Sequence, residues 1–268
     1  MAFIPFHDSN PLVHIRRPYV AWAILLINVA VFFLVQSGNL AGVSVASVGS
    51  FGLIPSAFNG LEESPALVPD FLTLMTYAFL HGDFWHLAGN MIFLWVLADN
   101  IEDALGHVRF IVFYLLCAAT AGYTYVLTDP SSPAPVIGSS GAIAGIVSAY
   151  FILHPRAKMW VLLFARIPVR LRAMWVLGFW IVFQVLAAFG GSADDQVAWS
   201  SHVGGLAAGA VLIVIMRRRG VTLFDRGLAP AAAAAPGKVG PTGDPSRIAR
   251  PPSPRSGPGR PPRGGPWG

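Results

Sequence analysis

The chain has 268 residues, of which 54% are hydrophobic and only 12% are charged, and its formal net charge is +5. Soluble domains carry about a quarter charged residues, so this composition argues against a water-soluble enzyme and favours a protein with several membrane-spanning helices. The single cysteine, Cys117, excludes a disulfide framework and any metal site that needs several cysteines.

Six apolar stretches predict helices that cross a bilayer. In chain order they are residues 19–36, 84–98, 110–127, 139–153, 174–189 and 199–216. A span needs about 20 residues, so the second, fourth and fifth helices must extend past these limits or be short. The first stretch follows basic residues, as a signal peptide does. Its apolar core exceeds the usual length of about 7–15 residues, so we interpret it as a retained helix.

The basic residues indicate the orientation of these spans. Lysine or arginine precedes the first span, lies between the second and third and between the fourth and fifth, and follows the sixth. The connections 37–83, 128–138 and 190–198 contain neither residue. Because basic residues concentrate in cytoplasmic connections, we expect both termini to face the cytoplasm. The predicted fold is an all-α membrane protein, with a cytoplasmic segment 1–18 and a six-helix domain 19–219.

Residues 220–268 are predicted to form a disordered cytoplasmic tail rich in proline, glycine, alanine and arginine. Within it, residues 227–268 hold six basic residues and one acidic residue, 6 − 1 = +5, so the rest of the chain is neutral. Such a segment buries too little apolar surface to fold. We expect a soluble tether, or weak association with anionic lipid headgroups as the alternative. No motif indicates nucleic-acid binding.

Polar side chains occur at the beginnings of the second, fourth and sixth spans, although polar groups inside a membrane are energetically costly. His86 and Asn90 are four residues apart and share a helix face, Ser140 begins the fourth span, and His202 lies in the first turn of the sixth. The even-numbered spans cross in the same direction, so their beginnings lie at one depth in the outer part of the bilayer. We therefore expect these four side chains to converge.

Small residues indicate how the fourth and sixth helices approach each other. Gly141 and Gly145 form a small-xxx-small pair on the fourth helix, and Gly205 and Gly209 form another on the sixth. His202 shares a stripe with the second pair, so it points toward the face along which the helices pack. Close packing would bring the Ser140 hydroxyl within reach of this imidazole.

These residue types fit nucleophilic catalysis on an amide. A serine hydroxyl attacks when a base takes its proton, and neutral histidine is the base suited to neutral pH. The side chains of His86 and Asn90, together with the free amide at the helix start at Ser140, are candidates to stabilise the oxyanion. No carboxylate is predicted behind His202, so the sequence favours a dyad over a triad.

Simpler interpretations exist for each residue. Taken alone, Ser140 reads as a helix cap or packing contact, and His202 as a partner of a neighbouring helix. A metal site built from His81, Asp83, His86 and His202 is a further alternative. It is weakened by the spacing of His81 and His86, which places the two about 140° apart around a helix.

Two of the motifs resemble those of the rhomboid family of intramembrane serine proteases. The segment from His81 through His86 to Asn90 resembles the family's H-x4-H-x3-N pattern. Gly138 and the three residues after it, Ser-Ser-Gly, resemble the G-x-S-G nucleophile motif.

Two further motifs follow the same family. The helix that contains His202, Gly205 and Gly209 is similar to A-H-x-x-G-x-x-x-G, and Glu102 with Gly106 matches the E-x-x-x-G pattern. All four motifs lie in the family's order on the predicted helices, and the resemblance covers about residues 19–216.

The resemblance implies a six-helix bundle with a water-filled cavity accessible from the outer side. Ser140 would be the nucleophile, His202 the general base, and His86, Asn90 and the Ser140 amide the oxyanion site. Substrates in this family are membrane proteins, cut in or beside a transmembrane segment, and no metal or organic cofactor takes part. The compact six-span form favours a bacterial inner membrane.

Two positions depart from the family pattern, and both concern support of the imidazole. Ala144 stands where some members carry an aromatic residue that packs on the histidine, and Ser201 precedes the histidine in place of alanine. Two other function classes stay open. One is a catalytically silent relative that binds membrane clients. The other is a transporter or channel with a polar gate, although the sequence shows no internal repeat.

Overall fold

The computed structural model describes residues 3–36, 41–164, 166–190 and 197–225, and the structural statements below concern these residues. They form a helical bundle with one small sheet. The elements in chain order are β1 (Phe3–Asp8), α1 (Tyr19–Val31, continued by a π-helix over Phe32–Gln36), α2 (Ala41–Phe51), α3 (Pro55–Phe58), α4 (Asp70–Thr76, followed by a 3-10 turn over Tyr77–Phe79), α5 (Phe84–Leu105), α6 (His107–Thr128), α7 (Ser140–Leu153), β2 (Lys158–Leu163), β3 (Ile167–Arg172), α8 (Ala173–Gly190) and α9 (Trp199–Met216).

A helix occupies each of the six predicted spans. The second is longer than predicted, because α5 has 22 residues and ends at Leu105, where Gly106 adopts a φ of +85°. Four helical stretches are long and apolar enough to cross a membrane. They are Tyr19–Gln36, His107–Thr128, Ala173–Gly190 and Trp199–Met216. The chain is therefore a membrane protein with several apolar helices, and a count of six spans remains a prediction.

Helix α7 lies at the centre of the bundle. It packs against α5, α6, α8 and α9, and residues 141–150 are all buried. Its 14 residues extend about 21 Å, less than the ~30 Å thickness of the hydrocarbon core. Because the helix is short and enclosed, its first residue, Ser140, lies between the surrounding helices.

The prediction of an all-α fold is wrong in one respect, because the chain contains a three-stranded antiparallel sheet with the order β1-β2-β3. Met159 and Val161 on β2 are fully buried, whereas Trp160 between them is partly exposed. This alternation is what a sheet with one face on a core requires. The segment 1–18, predicted as a separate cytoplasmic piece, therefore contributes a strand to the bundle.

The first residues of the predicted disordered tail pack on the end of α7. The amides of Phe224 and Asp225 donate hydrogen bonds to the carbonyl oxygens of Ile152 and Leu153, and the Asp225 carboxylate bonds Nδ1 of His154. These contacts satisfy carbonyl groups that a helix C-terminus leaves free. Residues 226–268, the remainder of the predicted tail, lie outside the described residues.

The bundle has two distinct ends. At the end that we call the cavity end, a cavity lies between the first turns of α5, α7 and α9. At the opposite end, the sheet end, α5 and α7 finish beside β1. There the Asp8 carboxylate accepts hydrogen bonds from the Tyr150 hydroxyl at 2.6 Å and from the Asn100 side-chain amide at 3.0 Å. Burial raises the pKa of the Asp8 carboxyl, although the Tyr150 bond acts in the opposite direction.

Two further acidic residues at the sheet end bind backbone amides. The fully buried Glu102 carboxylate accepts from the amides of Val20 and Ala21, at 3.1 and 2.7 Å, where α1 begins. Asp103 accepts from the three successive amides of residues 13–15. These bonds attach the N-terminal segment to α5, which explains why acidic side chains are tolerated in its last turns.

Candidate active site

The first turn of α5 is fixed by its cap. Asp83 lies just before the helix, and its Oδ1 accepts hydrogen bonds from the amides of Trp85 at 2.7 Å and His86 at 2.9 Å. An aspartate in this position satisfies amides that have no partner within the helix. His86 and Asn90, one turn apart, both line the cavity as a result.

Helices α7 and α9 approach along the glycine stripes noted in the sequence. A Cβ atom placed on Gly205 would lie 2.0 Å from the carbonyl oxygen of Gly141, and one on Gly209 would lie 2.1 Å from that of Gly145. A Cβ cannot lie this close to a carbonyl oxygen, so only glycine at positions 205 and 209 permits this backbone contact. The contact places the first turn of α9 beside that of α7.

The structure brings Ser140 and His202 together. The Ser140 Oγ lies 2.8 Å from Nε2 of His202, a hydrogen-bond distance, and the imidazole is only 8% exposed. The other ring nitrogen, Nδ1, lies 2.7 Å from Oε1 of Gln184 on α8. The geometry suits removal of the serine proton by Nε2.

Two tryptophans hold the imidazole from other directions. The ring of Trp180 stacks on that of His202 at a centroid distance of 6.3 Å and an interplanar angle of 30°, and Trp199 meets it edge-on at 5.9 Å. These rings supply the aromatic support that the sequence lacks at Ala144. Ala144 is fully buried and faces α9, since a Cβ placed on Gly205 would lie 3.3 Å from the Ala144 Cβ.

Asn90 and His86 line the same cavity from α5. Asn90 is buried, and its Nδ2 has no hydrogen-bond partner within the part of the chain that the structure describes. The His86 ring lies against Gly138, because a Cβ there would lie 2.8 Å from His86 Nε2 and 3.7 Å from the Ser140 Oγ. Gly138 has a φ of +122°, a conformation that favours glycine. The arrangement thus leaves a buried amide donor facing the cavity that contains the serine.

The rings of His81 and His86 lie 5.1 Å apart, but the side chains of the alternative metal site have other partners. His81 is buried and its Nε2 lies 3.2 Å from the Ser139 hydroxyl, while Asp83 accepts two backbone bonds as the cap of α5. Among the described residues, no group of three or more histidine, cysteine or acidic side chains is arranged to hold a metal ion. The structure therefore gives the metal interpretation no support.

The cavity has a volume of about 850 Å³. Ser140, His202 and Asn90 line it together with apolar and aromatic side chains such as Trp180 and Phe183. Sites that bind small ligands have volumes of about 300–1,000 Å³, so this cavity has room for a short stretch of polypeptide beside the serine.

Sequence reasoning missed the residues that hold the imidazole. Gln184 belongs to no motif, although it is the only amide, charged or hydroxyl side chain in the otherwise apolar stretch 174–189. Its isolation in a span is the available signal, because such a group needs a partner. Nothing in the sequence relates Trp180 or Trp199 to His202.

The fold and the site together define a class of protein, a helical membrane protein with a hydrogen-bonded serine and histidine buried between its helices. A family model described as the Rhomboid domain matches residues 69–219, which is more than half of the chain. The chain belongs to the rhomboid family, and the resemblance noted in the sequence is confirmed.

Three relatives illustrate the range of the family. The chain is 29% identical to Rhomboid protein 1, mitochondrial, from Saccharomyces cerevisiae over 186 residues, 64% of this chain and 50% of the relative. It is 26% identical to the Rhomboid protease GluP of Bacillus subtilis over 194 residues, 72% of this chain and 34% of the relative. It is 23% identical to the Rhomboid protease GlpG of Klebsiella pneumoniae over 205 residues, 76% and 65% of the two chains.

The matches cover only part of these relatives. The chain spans half of the length of the yeast protein and about a third of that of GluP. Relatives with mitochondrial names match alongside bacterial ones, so the expectation of a bacterial inner membrane gains no support.

Proposed function

We propose that this protein is an intramembrane serine endopeptidase that cuts other membrane proteins in or beside a transmembrane segment. The observation that carries the proposal is the 2.8 Å contact between the Ser140 hydroxyl and His202 Nε2. It lies in a cavity also lined by Asn90, whose Nδ2 has no partner among the described residues. Two relatives are named as rhomboid proteases, which agrees with this chemistry.

The reaction begins with the dyad. His202 Nε2 takes the proton of Ser140 as its Oγ attacks the carbonyl carbon of the scissile peptide bond. The imidazolium then gives that proton to the leaving amine, and a water molecule, activated by the same base, hydrolyses the acyl-enzyme. No step requires a metal or an organic cofactor.

The oxyanion of each tetrahedral intermediate needs donors that are already in position. Asn90 Nδ2 is such a donor, because it is buried, faces the cavity and has no partner among the described residues. The amide of Ser140 in the first turn of α7 and the His86 side chain complete the set. A donor held without a partner in the resting state loses no bond when it binds the oxyanion.

The substrate class follows from the position of the cavity. A transmembrane helix hides its carbonyl groups in internal hydrogen bonds, so cleavage requires local unwinding. The polar groups in this cavity between membrane helices lower the free energy of exposing that backbone. We propose that substrates carry glycine or other helix-breaking residues near the end that enters the cavity. For the enzyme itself, we propose that both termini are cytoplasmic.

The test is labelling of the purified, detergent-solubilised protein with a fluorophosphonate probe, which requires no known substrate. The panel is wild type, Ser140→Ala, His202→Ala and Asn90→Ala. We expect labelling to vanish in the first two variants and to weaken in the third. Absence of labelling in folded wild type, across probes of several sizes, would contradict the proposal and favour a silent relative that binds membrane clients.

A further inference from the structure

Gln184 occupies an unusual place on α8. The helix is largely exposed, and its buried residues are Ala173, Val176, Leu177 and Gln184. The first three lie in the half of α8 next to β3. In the other half, which borders the cavity, Gln184 is the buried residue. A primary amide is costly to bury among apolar groups unless it is hydrogen-bonded. Packing alone therefore does not account for glutamine at this position.

The bond that Gln184 makes selects one form of the imidazole. Its Oε1 lies 2.7 Å from Nδ1 of His202, and a carbonyl oxygen can only accept, so Nδ1 carries the ring proton. Nε2 is then left with a free lone pair, directed at the Ser140 hydroxyl 2.8 Å away. The neutral imidazole is thereby held in the tautomer that a general base requires.

Helix α8 also fixes the plane of this ring. Trp180, one turn before Gln184, stacks on the imidazole at 6.3 Å and 30°. The Gln184 amide thus fixes the rotation of the imidazole within its own plane. The Trp180 indole fixes the orientation of that plane. Two contacts from one helix hold the base against the serine that α7 carries, in place of the aromatic residue absent at Ala144.

We infer that Gln184 is the positioning residue of the site, the neutral counterpart of the carboxylate in a serine protease triad. It acts through His202, by holding Nδ1 protonated and Nε2 aimed at Ser140. The inference rests on the proposed hydrolase function for its role in catalysis. A neutral amide is less costly to bury between membrane helices than a carboxylate, which explains the choice of residue.

The first experiment compares fluorophosphonate labelling rates of Gln184→Met, Gln184→Glu and Val182→Met. Methionine keeps the length but removes the acceptor, glutamate keeps an acceptor oxygen, and Val182 is an exposed control on the same helix. We expect the methionine variant to label about 10- to 10³-fold more slowly, less than the ~10⁴-fold loss after neutralising a triad carboxylate. The glutamate variant should retain most of the rate, and the Val182 variant all of it.

The pH profile separates positioning from packing. Besides His202, the titratable side chains among the described residues that line the cavity are Tyr77, Asp83, His86 and Tyr125. All four stay unchanged in these variants. A carboxylate at position 184 stabilises the protonated imidazole, so the labelling rate of Gln184→Glu should reach half of its maximum at higher pH than in wild type. An unshifted profile would overturn the inference.

The second experiment reads the tautomer without using activity. In the Ser140→Ala background the serine bond is absent, so ¹⁵N spectra of histidine-labelled protein report what Gln184 alone imposes on His202. Resonances are assigned by comparison with a His202→Gln sample. We expect the Nδ1–H tautomer in Ser140→Ala and its loss in Ser140→Ala/Gln184→Met. The same tautomer in both would overturn the inference. If wild type fails to label, the proposed function fails, and the spectra still decide the role of Gln184.

Discussion

The two ends of helix α5 use polar residues in opposite ways. At the sheet end, Glu102 and Asp103 each accept two or more hydrogen bonds from backbone amides, and the Asn100 amide donates to Asp8. At the cavity end, Asn90 keeps a buried Nδ2 that has no partner in the described structure. Buried polar groups are usually bonded, and Asn90 further differs from the residues at the sheet end because it lines the cavity.

Helix α5 therefore serves the fold at one end and the function at the other. The bonds at the sheet end attach the N-terminal segment and β1 to the bundle, and so fix where α5 and α7 finish. The cavity end then presents donors and a dyad whose positions depend on that fixed frame. We expect substitutions at the sheet end to change stability and those at the cavity end to change activity.

Among substitutions that compare the two ends of α5, the largest effect is expected for Asn90→Ala. Removal of one oxyanion donor typically lowers a hydrolytic rate about 10²- to 10³-fold, and we expect a loss of this size in the fluorophosphonate labelling rate. The melting temperature should not fall through loss of the Nδ2 donor, because this atom has no partner among the described residues.

Asn100→Ala is the matched control, with the same change at the other end of the same helix. It removes the donor to Asp8 and should lower the melting temperature while folded protein labels normally. Equal loss of labelling in both variants would break the comparison between the two ends.

The next effect concerns Glu102→Ala. The change leaves the amides of Val20 and Ala21 without their acceptor. The Ala21 bond is buried, and an unsatisfied buried group costs about 1–3 kcal/mol. We expect a lower free energy of unfolding, measured by denaturant titration in detergent, and an unchanged labelling rate for the folded fraction. Glu63→Ala, at an exposed glutamate, is the control and should change neither quantity. A Glu102 variant as stable as this control would refute the structural role.

A smaller effect is expected for Tyr150→Phe. The hydroxyl donates one bond of 2.6 Å to Asp8, and an intramolecular hydrogen bond contributes about 0.5–1.5 kcal/mol, more when one partner is charged. Thermal unfolding should show a modest decrease. Tyr123→Phe, which changes a half-exposed tyrosine, should show none. A Tyr150 variant that loses labelling while folded would show that the sheet end controls the dyad directly.

The smallest effect is the pH dependence that Asp8 adds to stability. Burial raises its pKa in the folded state above the ordinary 3.8, so the folded protein holds this proton more tightly than the unfolded chain. The stability due to Asp8 is therefore complete below about pH 3.8 and is lost as the pH rises through the raised pKa. The stability of wild type relative to Asp8→Asn should fall across that window. A rise in this relative stability across the window would contradict the raised pKa of Asp8.

Much of this site could be predicted from the sequence, because two regularities act together. Helices that cross in the same direction begin at one depth, so Ser140 and His202 had to lie at a similar level. Glycine pairs at a four-residue spacing, such as Gly205 and Gly209, indicate which faces pack closely. These rules need only the order of the spans and the local pattern.

Other parts were beyond such rules. The pairing of β1 with β2 joins segments far apart in the chain. Neither strand has a strong alternating pattern that indicates its partner. Trp180 supports His202 only because α8 packs at one particular rotation beside α9. Gln184 was accessible in principle, since an isolated amide in an apolar span needs a partner, but the sequence does not say which partner.

Location of the fluorophosphonate adduct by peptide mass spectrometry tests the central claim most directly. Wild type and His202→Ala would be treated with probe in detergent, digested and mapped. The account predicts one adduct in wild type, on Ser140, and none on the neighbouring Ser139 or on Ser201. It predicts no adduct in His202→Ala. An adduct on another serine, or one on Ser140 that forms at the same rate without His202, would contradict the account.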